Sequence, residues 1–191
     1  MEIVIKSHFK SEYISLGLNI FCCFWALYIF SNAIINNSYS NSNVFGINED
    51  IGGLVGECDH TSKILNSFAT GSVIGGWRVG GLIGLSDVGT SIINSYSTGS
   101  VDGDYRVGGF AGQNNNNISQ STSYGNSGSG YEMVGGFVGH NNIGALITEA
   151  SVFNTTVTGK LYLGGLVGYN AGLISNSETE ANILEALTSE G

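Results

Sequence analysis

A Gly-Gly pair followed by two apolar residues and a further Gly recurs five times along this chain. The copies are Gly52-Gly53-Leu54-Val55-Gly56, Gly80-Gly81-Leu82-Ile83-Gly84, Gly108-Gly109-Phe110-Ala111-Gly112, Gly135-Gly136-Phe137-Val138-Gly139 and Gly164-Gly165-Leu166-Val167-Gly168. Their first glycines lie 28, 28, 27 and 29 residues apart. A unit this short cannot bury an apolar face alone and buries it against the copies on either side. The spacing therefore predicts a solenoid.

Composition selects the kind of solenoid. The 191 residues include 30 Gly and no Pro, and only 11% are charged. Abundant Val, Ile, Tyr, Phe, Thr and Ser favour strands and turns over a helical repeat. A 28-residue unit fits one coil of a parallel β-helix with three strands, expected near Ile92–Ser97, Ser100–Gly103 and Arg106–Gly112. Parallel crossovers are right-handed in nearly all cases. The expected fold is thus all-β: a right-handed parallel β-helix of about five 28-residue coils, preceded by an N-terminal hydrophobic segment. A small propeller or sandwich is the competing architecture, but the unit is short beside the roughly 40 residues of a propeller blade.

Stacked coils set like residues on like. Ile64, Ile92, Ile118, Leu146 and Ile174 are expected to form one internal column, and Val79, Val107, Val134 and Leu163 another. The Gly pairs are expected to supply positive φ and close backbone approach. Strand alternation cannot bury both Leu82 and Ile83, whereas a bulge at the Gly pair could; the sequence leaves that choice open.

Aligning on the Gly pair exposes a second element. Ile64-Leu65-Asn66-Ser67-Phe68-Ala69-Thr70-Gly71-Ser72-Val73 returns as Ile92-Ile93-Asn94-Ser95-Tyr96-Ser97-Thr98-Gly99-Ser100-Val101, with an earlier copy at Ile35-Asn36-Asn37-Ser38-Tyr39. Together the two elements resemble the GLUG-motif repeats over residues 34–177, with Phe110 and Phe137 replacing the Leu of the motif. The resemblance implies a secreted or surface-exposed, adhesin- or haemagglutinin-like repeat protein. It implies no catalytic residue, because the motif contains none.

Residues 1–33 read as a signal peptide or signal anchor. Lys6 and Lys10 precede an apolar run from Ile14 to Phe30, and Ser31-Asn32-Ala33 follows as a small-x-small cleavage pattern. The run of 17 residues is at the short limit for a membrane span. Either way the repeats are exported, to a secreted or cell-surface location, with membrane contact only through this segment if it is uncleaved. The repeats span 34–177. Residues 178–191 are expected to form a C-terminal cap, with helical apolar spacing over Ala181–Leu187, or to begin a truncated further repeat. Cys58 is the one thiol outside the leader, so no disulfide framework exists in the repeats.

The formal charge of -9 leaves no basic footprint for nucleic acid. No metal-ligand spacing, phosphate loop or nucleophile constellation is legible, and no cofactor or metal is expected. Asn37, Asn66, Asn94 and Asn176 share a repeat position and are expected to form hydrogen-bonded ladders. Asp102, Asp104, Arg106 and Arg78 form the densest charged set, expected as surface ion pairs beside a turn. Residues Gln113–Asn117 and Gly125–Gly130 read as polar loops. Trp77 and Tyr105 share a position before the Gly pair, with Tyr131 and Tyr162 within one residue of it. These four aromatics are the candidate binding residues, for a glycan or a host or cell-surface protein. The expected function is an exported structural or adhesive module without enzyme activity. The alternatives are a polysaccharide-active β-helix enzyme and an inert spacer within a larger exoprotein.

Overall fold

Five parallel sheets, of seven, three, five, six and six strands, are built from short strands of successive coils, and the three-stranded sheet ends at Val101–Asp102, beyond which only isolated bridges through Ser129 continue it. The computed structural model describes residues 8–9, 28–29, 32–125 and 128–185. The 1–33 signal segment lies outside the described residues except for Asn32, Ala33 and two dipeptides. His8–Phe9 pairs with Tyr39–Ser40, and Tyr28–Ile29 pairs with Glu57–Cys58.

One coil illustrates the rest. Its strands are Ser91–Ile93, Tyr96–Thr98, Val101–Asp102, Tyr105–Gly108 and Ala111–Asn114. The coil therefore bends five times where three strands were expected. Each strand pairs in parallel with its counterparts one coil away, as Val107 does with Val79 and Val134. About five such turns make a β-solenoid, and no helix occurs among the described residues.

The Val79, Val107, Val134 and Leu163 column forms as the period required, and Ile51 extends it. The isoleucine column is Ile35, Ile64, Ile92, Ile118, Ile147 and Ile174. Ile147, fully buried, takes the place assigned to Leu146, which instead pairs with Asn117 on the half-buried outer side. The coil between them is lengthened by one residue, so a fixed count from Ile118 lands one position short. The columns fall into two apolar clusters. One is built on the isoleucines with Leu82, Phe110 and Phe137, the other on the valines. Phe110 and Phe137 occupy adjacent coils and stack at 4.6 Å between ring centroids, so the two departures from Leu fill the core as a pair.

Both Leu82 and Ile83 are fully buried. The chain bends at Gly81-Leu82, and the amides of Leu82 and Ile83 both donate to the Phe110 carbonyl, at 2.9 and 3.1 Å. Two residues facing one acceptor is the pattern of a bulge. The same doubled donation recurs at Leu54 and Val55, Phe110 and Ala111, and Phe137 and Val138.

The Gly pair does not supply positive φ. That conformation falls two residues earlier, at Asp50, Arg78, Arg106, Met133 and Tyr162, with φ of 52–61°. The glycines are needed for close approach. A Cβ on Gly80 would meet the Ile83 carbonyl and the backbone of Ala111 and Gly112, and one on Gly81 would meet the Gly109 carbonyl. The third glycine packs on the left-handed bend itself: a Cβ on Gly84 would meet the peptide joining Asp50 to Ile51.

The C-terminal residues extend the sheet. Glu178–Glu185 is a strand, paired with Ser151–Gly159 across a register shift between Val152 and Thr155. Over residues 181–185 the helical spacing is overridden by the unpaired backbone that the preceding coil presents, which a strand satisfies and a helix does not; 186 and 187 lie outside the described residues. Gln113 and Asn114 likewise lie in a strand, not a loop, and Asn114 is fully buried.

Candidate functional site

The bend before each Gly pair builds the candidate site. After the turn at Gly75-Gly76 the chain enters the strand Trp77–Gly80, whose second residue takes the left-handed conformation. Trp77 pairs in register with Tyr105 in the next coil and with Glu49 in the previous one. The Trp77 and Tyr105 rings lie 4.9 Å apart, inclined by 32°, and Tyr131 continues the run at 5.9 Å from Tyr105. Tyr131 precedes Glu132, the residue in register with Tyr105, and reaches the row from one position away.

Tyr162 does not join this row. It stands at the left-handed position, and its ring packs edge-on against Tyr169 at 5.5 Å. Tyr169 in turn meets His140 at 5.2 Å. The four aromatics therefore divide into a run of three and a separate corner: Tyr131 sits one residue before the register position of the row, whereas Tyr162 sits one residue after it, at the left-handed bend. Trp77 and Tyr131 keep 40% and 44% of their surface open.

Beside Trp77 lies a groove of about 550 Å³, lined by Ile47, Asn48, Glu49, Trp77, Asp104 and Tyr105. Since Glu49 stands in register with Trp77, the aromatic row ends there and the groove opens toward the first coil.

The expected charge pairs are replaced by others. Arg78 binds Asp50 with two donors, Nε to Oδ1 at 2.5 Å and Nη2 to Oδ2 at 2.6 Å, and reaches Glu49 Oε2 at 2.6 Å. Arg106 donates to Gln113 Oε1 at 2.5 Å, and its Cζ sits 5.4 Å from the centre of the Trp77 ring. Neither arginine pairs with Asp102 or Asp104 among the described residues. From the left-handed position Arg78 reaches the previous coil, while Arg106 bonds Gln113 within its own coil and lies over Trp77 of the previous one.

Burial and charge shape the titration here. Burial raises the Asp50 carboxyl above its ordinary value, opposed by the hydrogen bonds from Arg78. The hydrogen bond to Asp50 raises the Arg78 guanidinium. Burial, then the charge of Arg78, lowers Arg106. Burial, then Arg106, lowers His140. Among the described residues no group of His, Cys, Asp and Glu is arranged to hold a metal.

The Asn position has a backbone reason. Asn37, Asn66, Asn94 and Asn176 have φ of 50–51°, and Gln120 and Glu149 hold 51° and 52° in the coils between. Asn tolerates this region better than most residues. The ladder is short: Asn94 donates to Asn66 at 2.7 Å, and Asn66 donates to Asn36 rather than Asn37 at 2.9 Å.

Two features escaped sequence reasoning. Tyr39, Phe68, Tyr96, Tyr124 and Phe153 form an outer row of touching rings, with centroids 4.7–6.4 Å apart. The aromatic after Asn-Ser signalled it. The first three rings are nearly parallel, so their faces cover one another and offer edges outward. The second is a ladder from Asn114 through Asn141 to Asn170, at 2.9 and 2.8 Å. Its signal was an Asn at a fixed distance beyond the motif in the last three coils.

Comparison with known proteins returns one family match, the GLUG motif over residues 75–102. No curated protein and no solved structure matches the chain. The matched segment runs once around the solenoid, and the other Gly-Gly copies stand in register with it. The chain is a β-solenoid repeat protein carrying the GLUG motif.

Proposed function

We propose that this protein is an exported structural and adhesive module, without catalytic activity, that holds a glycan through the aromatic edge at Trp77, Tyr105 and Tyr131. The groove beside Trp77 carries the reading: two aromatic rings and three polar side chains meet in an open cleft at the start of paired strands. Aromatic rings supply large contact area with little ordering cost, and the polar groups fix orientation. Export rests on Lys6, Lys10 and the apolar run that follows them. Tyr162, set apart from the row, contributes only if a ligand spans more than one face.

A second reading, a polysaccharide-active enzyme, draws on the two carboxylates of Glu49 and Asp104 in one groove. Glu49 is already engaged by Arg78, which favours binding over proton transfer.

The test is titration of the chain with soluble oligosaccharides, followed by the double substitution Trp77→Ala with Tyr105→Ala. Binding is expected to weaken by about 1–3 kcal/mol per ring, with an unchanged β-type circular dichroism spectrum. Unchanged binding would remove this edge from consideration. Release of reducing ends, abolished by Asp104→Asn, would establish the enzyme reading instead.

A further inference from the structure

We propose that the Trp77–Tyr105 groove recognises the protonated amino groups of an amine-bearing glycan, a saccharide chain with free ammonium substituents. The inference rests on the glycan reading above and narrows it to one ligand chemistry.

The lining decides the sign of the ligand. Two aromatic rings and two carboxylates, Glu49 and Asp104, line the groove, and no Lys, Arg or His does so among the described residues. An ammonium group is attracted to the face of Trp or Tyr by the ring quadrupole, and its hydrogen bonds to carboxylate are of the strong, charge-assisted kind. The Asp104 side chain is exposed and makes no hydrogen bond or ion pair with any described residue. Glu49 keeps most of its side chain open, 62%, while touching Arg78.

This edge already holds cations of its own. Arg106 lies over Trp77, and Lys160 Nζ stands 5.1 Å from the centre of the Tyr131 ring. The chain's net charge of -9 draws cations toward the surface and disfavours acidic polymers such as uronic or sulfated glycans. The size of the groove favours a saccharide over a lysine side chain. About 550 Å³ falls within the range of small-molecule sites, and a single lysine would leave most of it unfilled.

The experiment compares four probes by calorimetric titration: a glucosamine oligomer with free amines, its fully N-acetylated counterpart, a neutral glucose oligomer of equal length, and an oligolysine peptide. The free-amine oligomer is expected to bind about tenfold more tightly than either uncharged oligomer, and to weaken with added salt. Asp104→Asn should reduce its affinity about tenfold, the loss of one charged hydrogen bond. Glu149→Gln, which removes one negative charge far from the groove, should leave it unchanged. Equal losses in the two variants would reduce the effect to general electrostatics and overturn the proposal. Equal binding of charged and uncharged oligomers would overturn it while leaving the glycan reading intact. Tighter binding of oligolysine would overturn it in favour of a protein partner. Failure of all four probes would overturn both readings.

Discussion

The backbone amide of Ser67 donates to the hydroxyl oxygen of Ser95 in the next coil, 3.2 Å away. Ser38 stands in the same relation to Ser67, and Ser95 to Ser121, each at 3.2 Å. Each hydroxyl also donates within its own coil, as Ser95 does to the Ile93 carbonyl at 3.0 Å. The Asn before it turns the chain through the left-handed region, which points the following amide away from the ordinary ladder. The buried Ser then accepts it. Asn-Ser is thus one device: the first residue makes the corner and the second satisfies it.

Ser95→Ala should accordingly leave the Ser67 amide buried without an acceptor. Ser95 is 2% exposed, so water cannot substitute readily. The expected loss is about 1–3 kcal/mol in urea unfolding. Ser100→Ala, which removes an exposed hydroxyl bonded to Ser72 alone among the described residues, should change stability by no more than about 0.5 kcal/mol. Equal effects would show that the corner hydroxyls are ornamental.

Glycines of the motif and glycines of the turns should respond differently to alanine. A methyl group on Gly112 would strike the peptide joining Arg78 to Val79 and the Gly84 carbonyl, none of which can move without disturbing three coils. Gly112→Ala should destabilise by roughly 3 kcal/mol, the upper range of overpacking, and the damage should spread to adjacent coils. Gly144 has φ of 81° but nothing near its missing Cβ. Gly144→Ala should lose only the backbone term, about 1–2 kcal/mol. Hydrogen exchange, coil by coil, distinguishes the two.

The architecture was legible because period and burial coincide: a residue such as Val107 has identical neighbours 28 and 27 residues away, and only stacking gives all of them the same environment. Local geometry was less so. The Gly pair resembles a turn signal, yet Gly80 and Gly81 serve close packing while Arg78, not a usual left-handed residue, takes the positive φ. No local propensity announces this: Arg106 and Met133 take the same conformation in the following coils, and at each the third glycine of the next motif packs against the bend. At the site, Trp77 and Tyr105 could be paired by counting. Tyr162 could not be excluded that way, because counting does not show that it falls on the left-handed bend while Tyr131 falls before the strand.

Cys58 is buried, and its thiol is pushed up to about 12, chiefly by burial. A thiol that stays protonated at neutral pH is a poor nucleophile. In a Cys22→Ser, Cys23→Ser background, the native chain should therefore show almost no reaction with a disulfide reagent at pH 8, and full reaction of one thiol after unfolding. Rapid labelling of the native chain would contradict the packing of this column, in which Cys58 stands in register with Ser86.

In the next coil Leu85 takes the place of Glu57. Burial raises its carboxyl above the ordinary value of 4.5, and the charges of Asp50, Asp59 and Asp87 add to the shift. The folded state then holds the proton more tightly than the unfolded chain does. Between the ordinary value and the elevated one, the folded state binds more protons, so stability falls as pH rises through that window. At neutral pH the ionised Glu57 opposes folding. Glu57→Gln should raise the urea midpoint at pH 7, and its advantage should shrink as pH falls through the window and vanish below it, where Glu57 is neutral in both states. Asp50, though also raised, is an unsuitable probe because Asp50→Asn would strip Arg78 of its two best acceptors. A Glu57→Gln chain that is less stable than the parent at pH 7 would mean that the carboxylate has a favourable partner, and that the acidic neighbours around Asp50 and Asp87 do not dominate its energy.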